Sequence, residues 1–292
     1  MGVQSQRSSD MRSAAHRHRP GTGLRVACTI ATTAACTACT SLPEAPTELS
    51  ELSSWLFQNF EAEDPVVLAA GMGNLQAFFE AHLLDGRLED QAWELTVLTD
   101  EHIVDVEHPD RDPAAAVPVG LVELSNFTPG AHAQVILLED QTPVEPASPN
   151  LYERSFLEPT EPSCFLDRTC ATLRTDNHIR KENLVMSIEY SKRKDYRWSE
   201  LMREDRETEH GIIGRSWFED QALGEQEATA IHQSYSIDVF LPHGDDGSMR
   251  YVALWTEASM YGMGDDIIQA TMRDGLQDML EATEGWLGEQ SR

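Results

Sequence analysis

Residues 231–241, with the sequence IHQSYSIDVFL, alternate apolar and polar side chains. Tyr235 and Ile237 point to one side and the serines beside them to the other, the period of two that is typical of a half-buried β-strand. A second strand is predicted over 249–255. The following segment, 265–287, has the helical period of three or four residues. Its apolar stripe consists of Ile268, Met272, Leu276, Met279, Thr283 and Trp286. The pattern predicts an antiparallel sheet with one long amphipathic helix laid across it.

The N-terminal part of the chain favours helices. Apolar residues recur at helical spacing over 47–60 and again over 64–83. The second helix is expected to begin near Pro65, since the missing N–H of proline costs nothing in a first helical turn. Short strand-like pieces follow at 93–98, 102–106, 119–124 and 132–138. We expect an N-terminal helical hairpin with short strands.

The C-terminal half favours a sheet. Residues 184–190 and 196–202 have strand character, and the charged segment 191–195 between them predicts a hairpin turn. A further strand is predicted over 212–218. The fold class is therefore α+β, with the antiparallel sheet packed against one long C-terminal helix.

Five prolines between residues 141 and 163 mark the best internal boundary. Such spacing is typical of an extended linker. The linker would join an N-terminal α+β region, 47–140, to a sheet-and-helix unit, 164–292. The alternative is a long surface loop within one domain.

Length and charge exclude several classes of protein. A chain of 292 residues with 40% hydrophobic content can bury a real core. Its 22 basic and 50 acidic residues give a formal charge of −28, which argues against a nucleic-acid partner. No apolar stretch is long enough to predict a transmembrane helix.

The first 38 residues differ from the rest. Arginines precede a run of small and apolar residues, 26–38, the order found in secretory signals. The run resembles a bacterial lipoprotein signal, in which a small residue precedes a cysteine that is lipidated and becomes the mature N-terminus. Ala38 and Cys39 match that pattern, and Cys36 stands where leucine is usual and is a second candidate for lipidation.

This resemblance implies a cellular location and does not imply an activity. Residues 1–38 would be removed, 39–46 would be a tether, and the lipid on Cys39 would attach the protein to a membrane of the bacterial envelope. The absence of Asp directly after Cys39 resembles outer-membrane retention. The alternatives are an ordinary secreted protein and a cytosolic one.

Cys164 and Cys170 remain after such processing. In an oxidising compartment an even number of cysteines favours a disulfide. The alternative is a redox or metal-binding pair.

Strands in meander order closed by a long C-terminal helix resemble the helix-grip arrangement of START-like lipid-binding and polyketide-cyclase domains, over residues 180–290. The resemblance implies a cavity between sheet and helix that holds an apolar small molecule or lipid. The candidate lining residues are Met186, Ile188, Trp198, Tyr235, Ile237, Trp255, Met272, Leu276 and Met279. The alternative is that these side chains simply fill a core.

His102 and His108 lie in an acidic segment and are the most metal-like cluster of the sequence. Their carboxylate neighbours are Glu101, Asp105, Glu107, Asp110 and Asp112. A metal-dependent or other hydrolase built on this cluster is one hypothesis, and a solvated acidic loop is the other. No nucleophile elbow or phosphate-binding glycine motif is present, and no cofactor is predicted.

Basic residues concentrate between Arg168 and Arg215, where eleven of the 22 lie. Either the segment 192–194 binds an anionic ligand or acidic partner, or these charges neutralise the acidic N-terminal half. Taken together, the sequence favours an envelope lipoprotein that acts as a non-enzymatic binding or structural module, with a hydrophobic ligand or a protein as partner.

Overall fold

The computed structural model describes residues 44–84, 93–182, 187–202, 208–225, 229–260 and 263–292. The predicted signal segment with Cys36 and Cys39, and the predicted pocket residue Met186, lie outside the described residues.

The strand runs of the sequence assemble into one antiparallel sheet. Within the described residues its order is β1-β8-β7-β5-β4-β3-β2, and the short strand β6 pairs with β7. The strands are β1 (Val117–Ser125), β2 (Leu151–Glu158), β3 (Thr172–Glu182), β4 (Ser187–Leu201), β5 (Glu209–Trp217), β6 (Ala222–Leu223), β7 (Ala230–His243) and β8 (Gly247–Ser259). The two strands predicted over 231–241 and 249–255 are confirmed as the β7–β8 hairpin, which turns through Gly244 at a φ of 63°.

One face of the sheet is covered by α1 (Leu49–Gln58) and α2 (Pro65–Leu84). The backbone N–H of Val66 donates to Asp64 Oδ1 at 3.0 Å, which caps the start of α2 beside Pro65. The main hydrophobic core lies on this side and includes Phe57, which meets Tyr235 and Trp255 edge to face. We call this side the α1–α2 face.

The other side, the α3–α4 face, is covered by α3 (Pro129–Ile136) and α4 (Asp265–Gln290). Thr128 Oγ1 accepts from the N–H of Ala131 at 3.3 Å and caps α3. At its C-terminal end α4 packs Leu287 against Val135 and Val144. The long helix across an antiparallel sheet is the predicted helix-grip arrangement, and the fold class α+β is confirmed.

Four local predictions were wrong. Residues 93–98 and 102–106 do not form strands. Residues 132–138 fall largely in α3, because Thr128 and Pro129 start a helix at that point. The charged segment 191–195, predicted as a turn, is the middle of the 15-residue strand β4. Its polar composition is typical of an exposed turn, but the segment lies in the middle of a sheet whose two faces are both covered by helices.

The segment 141–163 contributes to the sheet. It contains a 3₁₀ turn (Thr142–Val144) and β2, which pairs with β3, so the sheet runs across the predicted boundary. All described residues fall in one compact unit, 41–292. Cys164 and Cys170 form the predicted disulfide, with 5.3 Å between their Cα atoms.

No helix in the described ranges is both long and apolar enough to cross a membrane.

Helical glycines provide a test of this packing. A Cβ on Gly73 of α2 would lie 2.3 Å from the carbonyl oxygen of Met202, whose N–H donates to Ala69 O in the same helix. Gly73→Ala should therefore destabilise the fold by about 1–3 kcal/mol. Gly285→Ala, at a position of α4 with open space around it, should stabilise by up to about 1 kcal/mol. Urea unfolding of both variants measures the difference, and equal shifts would contradict the close approach of α2 to β4.

Candidate functional site

The α3–α4 face contains a partly open cavity of about 40 Å³. Side chains of α3, β2, β4, β7, β8 and α4 line it, together with the 3₁₀ turn at Thr142–Val144. Its lining is unusual for the interior of a small protein because it is rich in charge. The charged lining residues are Glu145, Arg154, Lys194, Asp238 and Arg250.

Asp238 lies at the centre of this lining and is 4% exposed. Arg250 Nε and Nη2 donate to its two carboxylate oxygens, each at 3.0 Å. Lys194 Nζ approaches Oδ2 at 3.3 Å. One buried carboxylate therefore pairs with two cations that lie on different strands.

The side chains around Asp238 keep their charges although they are buried. Burial alone would raise the pKa of Asp238, but Arg250 and Lys194 hold that pKa well below its usual range. Burial also opposes the charge on Lys194, yet the Tyr196 ring and Asp238 raise the pKa of its ammonium group above the ordinary value. The cluster is thus ionised at neutral pH.

Arg154 on β2 extends the charged lining and is 5% exposed. Its Nε donates to Asn177 Oδ1 at 2.8 Å, and its Nη1 donates to the carbonyl of Ile136. The guanidinium also lies over the rings of Tyr152 and Tyr196, at 5.9 and 5.4 Å from their centroids. All these contacts are to neutral groups.

Lys181 and Lys192 lie on the same face near the β3–β4 connection. Lys181 Nζ is 2.9 Å from Glu145 Oε1; burial opposes its charge, but Glu145 raises its pKa. For Lys192, burial lowers the pKa, and the positive charges of Lys194 and Lys181 lower it further. This end of the face is therefore crowded with cations.

His132 on α3 is a buried histidine at the opposite end of the cavity. Its Nε2 lies 2.8 Å from Ser125 Oγ, which also contacts Glu284 on α4. Within the described part of the chain, His132 Nδ1 is buried and has no hydrogen-bond partner. A serine–histidine–carboxylate triad needs the acid on the far nitrogen of the histidine, whereas here the acid contacts the serine. The arrangement therefore lacks the geometry of a nucleophilic triad.

The structure divides the nine predicted pocket residues between different places. Met279 lines the cavity, and Trp198 lines a separate groove of about 500 Å³ beside α2 and Arg168. Ile188 packs in a small cluster with Tyr190 and Phe218. Tyr235, Ile237 and Trp255 lie on the α1–α2 face, in the main core. Met272 and Leu276 are half-buried on α4, and Met186 lies outside the described residues.

The acidic segment around His102 and His108 does not converge on one point. Asp105 pairs with Arg215 at 2.7 Å, His102 Nδ1 accepts from the N–H of Thr99, and His108 Nδ1 contacts its neighbour's carbonyl. The described ranges contain no group of three or more His, Cys, Asp or Glu placed to hold a metal ion.

Sequence reasoning missed most of the charged lining. It placed the lysines of 192–194 in a turn, whereas Lys194 lies within the sheet with its side chain only 11% exposed, beside the buried Asp238. A signal was present in the sequence, since Lys192, Lys194, Tyr196 and Trp198 alternate with a strand period.

Comparisons with known proteins add fold likenesses. No protein-family model and no curated protein sequence matches the chain. A solved structure from Thermus thermophilus aligns with a TM-score of 0.40 and 13% identity, over 60% of this chain and 100% of its own. A START superfamily protein from Mycobacterium smegmatis aligns at 0.37 and 12%, over 59% and 98%. The Zhui aromatase/cyclase from Streptomyces sp. R1128 aligns at 0.38 and 10%, over 60% and 96%.

Removing the central carboxylate tests the cluster. Asp238→Asn leaves two buried cations without their counter-charge, so we expect a loss of about 3–5 kcal/mol in the free energy of unfolding. Asp245→Asn, at the exposed tip of the β7–β8 hairpin, is the matched control and should change stability by less than about 0.5 kcal/mol. Equal effects in guanidinium unfolding would mean that Asp238 is not the charge centre of this face.

The buried His132 predicts a pH dependence. Burial and the nearby Arg250 lower its pKa to about 3, whereas in the unfolded chain it titrates near 6.5. As pH falls between these values, the unfolded state takes up a proton that the folded state refuses. The folded state therefore loses stability, at up to about 1.4 kcal/mol per pH unit.

His132→Gln keeps a side chain that can reach Ser125 but removes this titration. Unfolding free energies at pH 7, 5.5 and 4.5 should show the wild-type chain losing stability relative to the variant as pH falls. Parallel pH profiles would show that His132 is not held neutral.

Proposed function

We propose that this chain is a non-enzymatic binding module, anchored to the bacterial envelope, which holds a small molecule in the cavity of the α3–α4 face. The observation that carries the proposal is the partly open cavity itself, lined by polar groups from helices and strands on several sides. Five of its lining side chains carry charge, which favours a polar or charged ligand over an apolar one.

The size of the cavity bears on the class of ligand. Sites for drug-sized molecules usually measure roughly 300 Å³ or more and have a mostly apolar lining. A charged cavity of about 40 Å³ suits a small polar molecule, or the polar end of a larger one, better than a whole lipid chain. An apolar portion of the ligand would have to lie elsewhere, and the half-buried Met272 and Leu276 of α4 are the candidate contacts.

The envelope address rests on the sequence pattern before Cys39 and agrees with a disulfide between Cys164 and Cys170. The intact mass of the protein from its host membrane fraction tests it. We expect cleavage before Cys39 with added acyl chains, and Cys39→Ser should release the protein from the membrane. An unmodified full-length mass would contradict the anchor and leave the cavity argument in place.

Ligand binding is tested by filling the cavity. Met279→Trp places a larger side chain in the lining, whereas Gln277→Trp adds the same bulk at an exposed position of the same helix. Native mass spectrometry and a thermal-shift screen of polar metabolites should find a ligand that stabilises the full chain and the Gln277→Trp variant. The Met279→Trp variant should lose that stabilisation while remaining folded. Equal responses from both variants, or none from the wild-type chain, would reject the cavity as the binding site.

A further inference from the structure

The lysines of this protein occur in one place. The whole sequence contains three, Lys181, Lys192 and Lys194, against 19 arginines. All three lie on the α3–α4 face: Lys181 and Lys194 contact Glu145 and Asp238, and Lys192 shares the strand parity of Lys194. In a chain with a formal charge of −28, this collects all the lysine charges on one face of the sheet.

Positive charge exceeds negative charge at this end of the face. Arg154 and Lys192 are held opposite Asn177 by the strand register. Glu145 pairs with Lys181, and Asp238 is shared between Lys194 and Arg250. Arg250 also faces Glu123 across the β1–β8 pair. Within the described residues, Arg154 and Lys192 have no carboxylate partner.

The volume next to Arg154 and Lys194 matches a small oxyanion. At about 40 Å³ it has room for about three water-sized groups, which is the scale of one carboxylate or phosphate group. The phenol groups of Tyr152 and Tyr196 line the same space and can donate hydrogen bonds to an anion.

We propose that Arg154 and Lys194, the two cations of β2 and β4 that line the cavity, bind the anionic group of the ligand, a carboxylate or a phosphate. This assignment rests on the proposed function, because it names the class of molecule that the cavity receives. Arg154 supplies planar donors held in place by Asn177 and the Ile136 carbonyl, and Lys194 supplies a point charge from β4. Lys192, two residues before Lys194 on the same strand, adds positive charge nearby. The protein's own carboxylates leave a net positive charge around the cavity, and the bound anion neutralises it.

Neutralisation of the acidic surface does not explain this placement. The Lys194 side chain is 11% exposed and Arg154 is 5% exposed, so both charges lie inside the fold. Surface acids would be compensated more cheaply by exposed cations, since burying a charge costs free energy unless it is paired.

The test uses the full chain and four probes at constant ionic strength: inorganic phosphate, acetate, octanoate and the neutral acetamide. We expect saturable thermal stabilisation by at least one of the three anions and none by acetamide. Lys194→Gln leaves Asp238 paired with Arg250 and should weaken that binding at least about tenfold, because one charge-assisted contact is lost. Arg273→Gln removes an exposed cation of α4 and should leave binding unchanged.

The probes also distinguish the source of the anionic group. Saturation by phosphate or acetate alone indicates a free oxyanion, and saturation by octanoate alone indicates the head of an amphiphile. Acetylation of the three lysines, mapped by mass spectrometry, provides a readout independent of stability, and the bound anion should protect Lys194.

Two results would overturn the assignment. One is no saturable response to any anion beyond that of sodium chloride, and the other is an equal response in wild-type and Lys194→Gln protein. A neutral ligand that binds both proteins equally, and is lost in Met279→Trp, would leave the proposed function standing and reject the anionic ligand.

Discussion

The buried carboxylate of Asp238 is the contact on which the α3–α4 face depends. It joins β7 to β8 through Arg250 and to β4 through Lys194, across the middle of the sheet. Arg250 then reaches α4, where it donates to Thr283 Oγ1 at 3.4 Å. Because a buried ion pair rarely stabilises more than apolar packing of the same volume would, its value here lies in fixing positions. The carboxylate offsets the cost of burying two cations, and it helps to keep Lys194 ionised where burial alone would lower the pKa of its ammonium group.

Helices cover both faces of the sheet, and this determines which parts of the fold could be predicted from the sequence. The β7–β8 hairpin and α4 were predictable because their apolar residues follow one period over many positions. Strand β4 was divided in two, since its central Ser-Lys-Arg-Lys-Asp run has the composition of a turn. Nothing local indicates that α1 and α2 cover one side of that strand and α3 and α4 the other. This information is tertiary and enters through contacts between residues far apart in sequence.

The candidate site was less predictable than the fold for the same reason. The sequence interpretation assigned apolar residues to a cavity and polar residues to solvent, which is correct on average. Here Tyr235, Ile237 and Trp255 fill the core under α1 and α2, while Lys194 and Asp238 are enclosed on the opposite face. A strand shows which residues share a face, but the pattern alone does not show which face holds the cavity. In this chain the scarcity of lysine was the better indicator, because all three lysines lie together.

Cations outnumber anions around the cavity of the α3–α4 face, whereas the protein as a whole is strongly acidic. This contrast determines how an anion approaches the cavity. At long range an anion is repelled by the net charge of −28, but beyond a Debye length of about 8 Å at physiological salt that repulsion is largely screened. Close to the cavity, low-dielectric walls strengthen the attraction of the nearby cations. The acidic exterior therefore limits nonspecific binding of polyanions such as nucleic acid, while a small anion that enters the cavity meets the cations of β2 and β4 at short range. Because the acidic exterior and the cavity carry opposite charges, added salt acts in two ways. It weakens the repulsion of an anion by the exterior more than it weakens the contacts of the anion inside the cavity.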